Sequence, residues 1–402
     1  MSIFFHIDVN SAFLSWTALE ELEKGNPLDI RTIPSIVGGD TEKRHGIVLA
    51  KSIPAKAYGI QTAEPVVNAF RKCPGLVMVP PNHAMYKERS NALMQFLFNI
   101  CPEIEQVSID ECYMDYTPIS EKYASAEAAA AFIKDSVYEK FGFTVNVGIS
   151  DCKVLAKMAS DFKKPNLVHT LYKSEIQTKL WPLPISSLFM CGGSSVDALR
   201  KLGISTIGDL AVSNIDIIKA HLKSHGQTLW EYANGIDNST VGAQPAKAKG
   251  IGNSVTLSQD VVTKEAAYTT LLSLAESVGR RVRAGGETAG MISTEIKYAT
   301  FQSMSHQTTL ENPTDSTDTI YRVACRLFDE LWNGEPVRLL GIRVSKLVSN
   351  TEPIQMSLFD YQVQKSESEK HKKLDAALDS LRNKYGKDII KRGSLLDSPN
   401  EY

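Results

Sequence analysis

The chain has no run of about 18 uninterrupted apolar residues, so no helix in it is expected to span a membrane. Its opening run, IFFHI, is apolar but is cut short by Asp8 and has neither a basic leader nor a cleavage site, so a secreted product is not expected. Cysteine is sparse: Cys73, Cys101, Cys112, Cys152, Cys191 and Cys325 are dispersed, with no CxxC pair of metal-ligand spacing. They read as reduced thiols of a cytoplasmic protein, which excludes a disulfide framework. A charge excess is missing too. With 44 basic residues against 46 acidic ones, bulk electrostatics does not advertise nucleic-acid binding.

The charge that is present is unevenly placed. Pro102 to Glu139 holds nine acids and two lysines, whereas Asp151 to Lys201 holds eight Lys or Arg and four acids. An acidic centre beside a basic flank suits a site with metals on one side and a phosphate backbone on the other. The 402 residues exceed one ordinary core, and roughly two to four domains are expected.

Hydrophobic periodicity predicts a buried strand over Ile3–Val9 and a helix over Ser11–Lys24, with Phe13, Trp16, Leu19 and Leu22 at helical spacing. Short strands at 47–49 and 76–79, a helix over 83–99, a strand pair around 105–116, a helix over 124–140 and a strand over 143–149 follow. This alternation predicts an α+β core in which the strands bearing Asp8 and Asp110 are neighbours. Residues 185–235 then read as a helix between two glycine-bearing turns with a second helix opening at Thr206, the pattern of a helix-hairpin-helix or of a plain helical hairpin. Residues 250–349 predict a separate β-α-β-β-α-β domain. The tail holds IQMSLF and then a charged helix with Leu374, Leu378, Leu381 and Tyr385 on one face.

Two acidic segments about 100 residues apart, HIDVN at 6–10 and SIDEC at 108–112, carry the chemistry. Alone, either reads as an ordinary strand-end or turn acid. Brought together, Asp8, Asp110 and Glu111 repel unless cations intervene, and two Mg²⁺ ions with a polyphosphate convert that repulsion into coordination. Phosphoryl or nucleotidyl transfer is the chemistry expected.

HIDVNSAF at 6–13, SIDECYMD at 108–115, VGISDCKVLAKMASDFKKPN at 147–166, LRKLGISTIGDLA at 199–211 and GIGNSVTL at 250–257 occur in one order along most of the chain. In these segments it resembles the Y-family, or translesion, DNA polymerases, the DinB and UmuC-like group. The resemblance implies an α+β multidomain right hand: palm at 1–22 and 76–166, fingers at 23–75, helix-hairpin-helix thumb at 167–240, α+β little finger at 245–350, then a clamp-binding motif and helical tail at 351–402. It implies template-directed, low-fidelity synthesis across lesions on primer-template DNA with dNTP, by a monomer that works without a membrane and near the bacterial nucleoid during repair.

The same resemblance implies site roles. One Mg²⁺ (Mn²⁺ is a possible substitute) would be held by Asp8, Asp110 and Glu111 near the primer 3′-hydroxyl; a second would be held by Asp8, Asp110, the Val9 carbonyl and the triphosphate. Phe13 takes the steric-gate position under the deoxyribose, and Asn10 is expected to orient the local turn. Lys56 and Lys164 are expected on the triphosphate. Where many relatives read TYEAR or NYPAR this chain reads SIPAK, with Ile53 and Lys56 in place of Tyr and Arg, a variant that favours the UmuC-like branch. Cys152 replaces a usual Asn, beside Lys153. Arg200 and Lys201 in the thumb and Asn253, Ser254, Arg280, Arg281, Arg283 and Arg343 in the little finger are candidate DNA contacts. Gln355, Leu358 and Phe359 of QMSLF resemble a sliding-clamp motif. The alternative is a catalytically weak DNA-binding or clamp-recruited accessory protein.

Overall fold

The structure, a computed structural model, describes residues 2–39, 46–242, 247–351, 365–386, 389–390 and 392–395, which fall into two compact units. The first begins with β1 (Phe4–Val9), buried at every residue, and α1 (Ala12–Glu23). A small layer follows, made of β2 (Ser35–Gly38), β3 (Val48–Lys51), α2 (Ile53–Ala57), α3 (Val66–Lys72) and β4 (Val77–Val79). The chain continues through α4 (His83–Ile100), β5 (Ile104–Gln106), β6 (Glu111–Asp115), α5 (Ala126–Phe141), β7 (Val145–Ser150), α6 (Lys153–Ser160) and β8 (Val168–Thr170). These strands form a sheet in the order β5-β6-β1-β7-β8, with β1 in its centre.

Local chemistry accounts for the boundaries. Ser125 Oγ accepts from the Ala128 N–H to start α5, and Gly142, at φ 74, ends it in the left-handed region where glycine carries no Cβ penalty. Gly148 lets α6 lie directly on β7: a Cβ there would sit 2.0 Å from the Ala156 carbonyl oxygen. The core beneath the sheet gathers Phe5, Trp16, Tyr86, Leu97, Ile133 and Phe143. Beyond it, α7 (Gly193–Lys201), α8 (Ile207–Ala211) and α9 (Ile215–Ala233) make the predicted helical hairpin, with Gly203 at φ 80 in the turn and a Thr206/Asp209 capping box opening α8.

The second unit has the predicted β-α-β-β-α-β order: β9 (Gly250–Val261), α10 (Lys264–Ala284), β10 (Glu287–Tyr298), β11 (Ser303–Thr314), α11 (Thr317–Leu331) and β12 (Val337–Ser349). The antiparallel sheet runs β11-β10-β12-β9, and both helices share its apolar face through Leu271, Val278, Ile292, Ile296 and Phe328. The other face stays open.

The tail helix α12 (Lys365–Tyr385) folds back onto this unit, the disposition that the sequence leaves undecided. It docks by its polar edge. Arg283 on α10 meets Asp375 at 3.2 Å and Asp379 at 2.6 Å, Asp375 accepts from the Thr317 backbone N–H at 2.9 Å, and Arg382 and Arg392 converge on Glu276 at 3.1 and 2.8 Å. The apolar stripe points away, leaving Leu374, Leu381 and Tyr385 at 49%, 39% and 57% exposure. Asp375→Ala removes the acceptor buried against α11 and is expected to cost about 2 kcal/mol of docking. Hydrogen exchange across α12 checks this: protection should fall there and stay unchanged in the first unit.

Candidate active site

The central strand brings the two acidic segments together. Asp8 faces Glu111 in the β1–β6 register, and the Val9 N–H donates to the Asp110 carbonyl at 3.0 Å. Asp110 lies in the turn just before β6, where its carboxylate accepts from the Ser108 hydroxyl at 2.7 Å. Burial raises the Asp110 carboxyl above its ordinary range against the Ser108 hydrogen bond, and the charges of Asp8 and Glu111 push the same way.

Lysines from α6 and the loop after it neutralise the other two acids. Lys164 reaches Asp8 at 2.5 Å and Asp161 at 2.9 Å, while Lys157 lies 2.8 Å from Glu111, 3.7 Å from Asp8 and 3.4 Å from Asp161. Burial opposes the charge on Lys157, yet Glu111, Asp8 and Asp161 raise its ammonium above the usual lysine range. Lys164 behaves likewise, with Asp8 as the principal partner. The His6 ring, 3.3 Å away, ahead of the Lys157 ammonium, holds the Glu111 carboxyl down at about 2 against burial.

Hard carboxylate oxygens are the donors that Mg²⁺ or Mn²⁺ takes, and Lys157 already places a positive charge between Asp8 and Glu111. The donor set therefore suits such a cation. Among the described residues, however, no group of three or more His, Cys, Asp or Glu is arranged to hold a metal, so the three acids are not gathered about one point. The ammonium groups hold two of them instead.

The loop carrying Lys164 is tied to the sheet by a buried asparagine ladder. Asn146 on β7 donates to the Ser160 and Lys163 carbonyls at 3.1 and 2.8 Å and accepts from Leu167 N–H at 3.2 Å. Asn10 donates to Asn146 and accepts from the Asn166 N–H at 2.9 Å, so its side chain ties down this distant loop rather than the local turn expected of it. Next to it Ser11 sits at φ 48, backbone strain immediately before the helix that carries Phe13. The Phe13 ring stacks on buried Tyr86, centroids 4.5 Å apart and planes 14° apart, with His83 edge-on at 6.3 Å. Tyr86 is itself fixed by a 2.8 Å hydrogen bond to Thr17.

The departures from the family pattern have visible surroundings. Ile53 is 61% exposed at the start of α2, and Lys56 is exposed one turn on. Burial, and then the neighbouring Lys56, lower the Lys51 ammonium below its usual range, against the opposing charge of Glu64. Cys152 caps α6 without a side-chain capping bond, its thiol donating instead to the Gly235 carbonyl at 3.7 Å; Asp237, from beyond α9, accepts from the Val154 N–H at 2.9 Å in its place. Lys153 pins the helix through Glu105 at 2.6 Å and the Thr240 carbonyl at 3.3 Å.

The candidate DNA contacts divide. Arg200 and Lys201 are exposed in the last turn of α7. In the second unit Ser254 and Arg343 line the open sheet face, a concavity of about 820 Å³ that also carries Glu295 and several glycines and serines, whereas the Asn253 side chain donates to Ser277 on α10 at 3.2 Å. Arg281 is committed to the Gly252 carbonyl at 2.8 Å, and Arg280 is half-buried on α10. Arg283 corrects the sequence expectation: its guanidinium is filled by Asp375, Asp379 and the Asp315 carbonyl, because the folded-back tail supplies carboxylates that a linear reading cannot place. Gln355, Leu358 and Phe359 lie outside the described residues.

His6, Asn146, Lys157, Ser160 and Tyr86 escape the sequence reading as site residues. Lys157 carries a signal, since it lies one helical turn beyond Lys153 on α6. Asn146, a single polar residue in an apolar strand, and Ser160, a small polar residue at the end of α6, carry none.

Comparison with known proteins accords with this geometry. A family model described as the impB/mucB/samB family matches residues 7–161, and that of its C-terminal domain matches residues 248–358. Over 98% of both chains the sequence is 46% identical to DNA polymerase IV of Clostridium acetobutylicum. It is 35% identical to DNA polymerase IV 1 of Bacillus subtilis, over 98% of this chain and 93% of that one. Neither relative bears a UmuC-like name, so the leaning that Ile53 and Lys56 suggest is not carried by them. Among solved structures, a Y-family DNA polymerase chimera of Dbh and Dpo4 superimposes with a TM-score of 0.75 at 23% identity, covering 87% of this chain and all of the chimera, a likeness of fold.

Proposed function

From its membership of the impB/mucB/samB family of Y-family DNA polymerases, which this chain shares across most of its length, we propose the specific reading that its palm acids, gate and lysines serve low-fidelity, template-directed extension of a primer across damaged bases. The observation that carries it is the Asp8–Glu111 register with Asp110 one residue before, flanked by Lys157 and Lys164. The domain reading is a palm at 1–22 and 76–166, fingers at 23–75, thumb at 167–240, little finger at 245–350 and tail beyond. No helix among the described residues is long and apolar enough to cross a membrane.

Asp8, Asp110 and Glu111, with the Val9 carbonyl, are the groups that would hold two Mg²⁺ ions. When bound, these ions favour the ionised 3′-hydroxyl and neutralise charge on the triphosphate. The chain's own residues do the rest. Lys157 and Lys164 release the carboxylates and turn to phosphate oxygens, Lys56 meets the triphosphate as a point charge, and Phe13 bounds the sugar. The asparagine ladder keeps Lys164 in reach. Metal-dependent extension of a primed template tests the reading, run across an abasic site, an ultraviolet photoproduct and a minor-groove adduct. Arrest one base before every lesion, with replicative fidelity on plain template, would overturn the translesion part and leave the polymerase part standing.

The open sheet face is the reading for the DNA backbone, since its glycines and serines allow close approach and Arg343 supplies charge. Arg343→Ala is expected to weaken binding to any sequence and to lower the slope of log K against log salt by about 1, measured by anisotropy over a salt series. A sequence-dependent loss would contradict a phosphate contact. The QMSLF segment is the reading for a sliding clamp, with Gln355, Leu358 and Phe359 as anchors.

A further inference from the structure

His6 is a buried titratable side chain that the two-metal reading leaves idle. It stands on the central strand, 1% exposed, two residues before Asp8, with Tyr113 edge-on at 4.8 Å. Its Nδ1 is 2.8 Å from the Ser160 hydroxyl, and its Nε2 is 3.3 Å from Glu111 Oε2. Lys157 takes the same Glu111 oxygen at 2.8 Å, and Oε1 has no partner among the described residues.

The geometry points to His6 as a positioning residue for Glu111: its Nε2–H anchors Oε2 from inside the sheet, so that Oε1 is the oxygen presented to a divalent cation. The inference rests on the reading of Glu111 as a metal ligand. Hydrogen-bond accounting supports it. If the Ser160 hydroxyl donates only to the Lys157 carbonyl, 2.8 Å away, Nδ1 must carry the ring proton and a bare Nε2 faces a carboxylate oxygen. Turning the Ser160 hydroxyl to Nδ1 puts the proton on Nε2 and makes that contact attractive.

In the present arrangement Nε2 still lacks a well-aligned acceptor, although it is buried. Lys157 competes for the shared oxygen at 2.8 Å. Once Lys157 turns to a triphosphate, a small rotation of Glu111 aligns the bond, so the carboxylate exchanges a mobile cationic partner for a fixed neutral one. A donor held in a central strand cannot follow the substrate, which is what a ligand carboxylate needs from its support.

The test uses two replacements whose amide nitrogens fall on different ring positions. The amide of His6→Gln reaches the place of Nε2 and that of His6→Asn the place of Nδ1. Binding of Mn²⁺ to the full-length polymerase with primer-template DNA is followed by electron paramagnetic resonance, beside the Mg²⁺ half-saturation of single-turnover extension. His6→Asn is expected to weaken Mn²⁺ binding and raise the Mg²⁺ requirement by about 10-fold, with DNA affinity unchanged, and His6→Gln to restore most of it. Equal behaviour of the two variants, or lowered thermal stability with unchanged metal affinity, overturns the proposal. Should His6→Asn fail to fold, Ser160→Ala decides: a smaller shift in the same direction supports it, and none overturns it. Asp8→Ala in the same assay separates the premises, because undiminished Mn²⁺ binding there would sink the metal reading itself.

Discussion

Asp8→Ala is expected to lower the rate of primer extension by at least about 10³-fold while leaving primer-template affinity within roughly twofold of the parent. The residue stands in the centre of the sheet, opposite Glu111 and against Lys164 and Lys157, so its loss removes one of the two carboxylates, with Asp110, shared by both proposed ions. No step of DNA binding depends on it in this reading, because the basic groups meant for the backbone sit elsewhere. Stability is a needed control. Lys164 keeps Asp161 and Lys157 keeps Glu111 and Asp161, so neither ammonium is left unpaired and the melting temperature should change little. Single-turnover extension with anisotropy on the same preparation decides the matter: near-parental turnover would remove Asp8 from the chemistry. Asp110→Ala should behave alike.

The parts of this site that lie on one element were legible in the sequence. Strand periodicity placed Asp8, and the helix after it placed Phe13 at helical spacing with Trp16, Leu19 and Leu22. The β-α-β-β-α-β order of the second unit followed from alternation alone. What escaped are contacts between residues far apart in the chain. The pairing of His6 with Ser160 spans 154 positions and that of Asn10 with Asn166 spans 156, and no periodicity encodes either. The tail shows the same limit from the other side. Leu374, Leu378, Leu381 and Tyr385 make an apolar face that any pattern would bury, yet α12 docks by Asp375, Asp379 and Arg382, because α10 and α11 offer it Arg283, Glu276 and a free backbone N–H. Arg283 was misread for that reason.

Phe13→Ala is expected to raise ribonucleotide insertion relative to deoxyribonucleotide insertion on the order of 10- to 100-fold, the equivalent of relieving about 1–3 kcal/mol of overlap with a 2′-hydroxyl. The size depends on how rigidly the ring is held. Tyr86 is buried, stacks on Phe13 at 4.5 Å and is locked by Thr17, whose hydroxyl also donates to the Phe13 carbonyl at 2.7 Å, so the ring cannot easily swing aside to admit the extra oxygen. A plain core phenylalanine predicts something else. Phe13→Ala would then lower stability by about 2 kcal/mol or more and slow both nucleotides together. Phe13→Val separates the two further, since it keeps part of the packing but shortens the wall, and it should retain stability while admitting the ribonucleotide. Tyr86→Phe breaks only the Thr17 bond and should loosen discrimination by a smaller factor in the same direction. The ratio of kcat/KM for rNTP and dNTP opposite one template base is the measurement, and an unchanged ratio in Phe13→Ala with lowered stability would return this ring to the core.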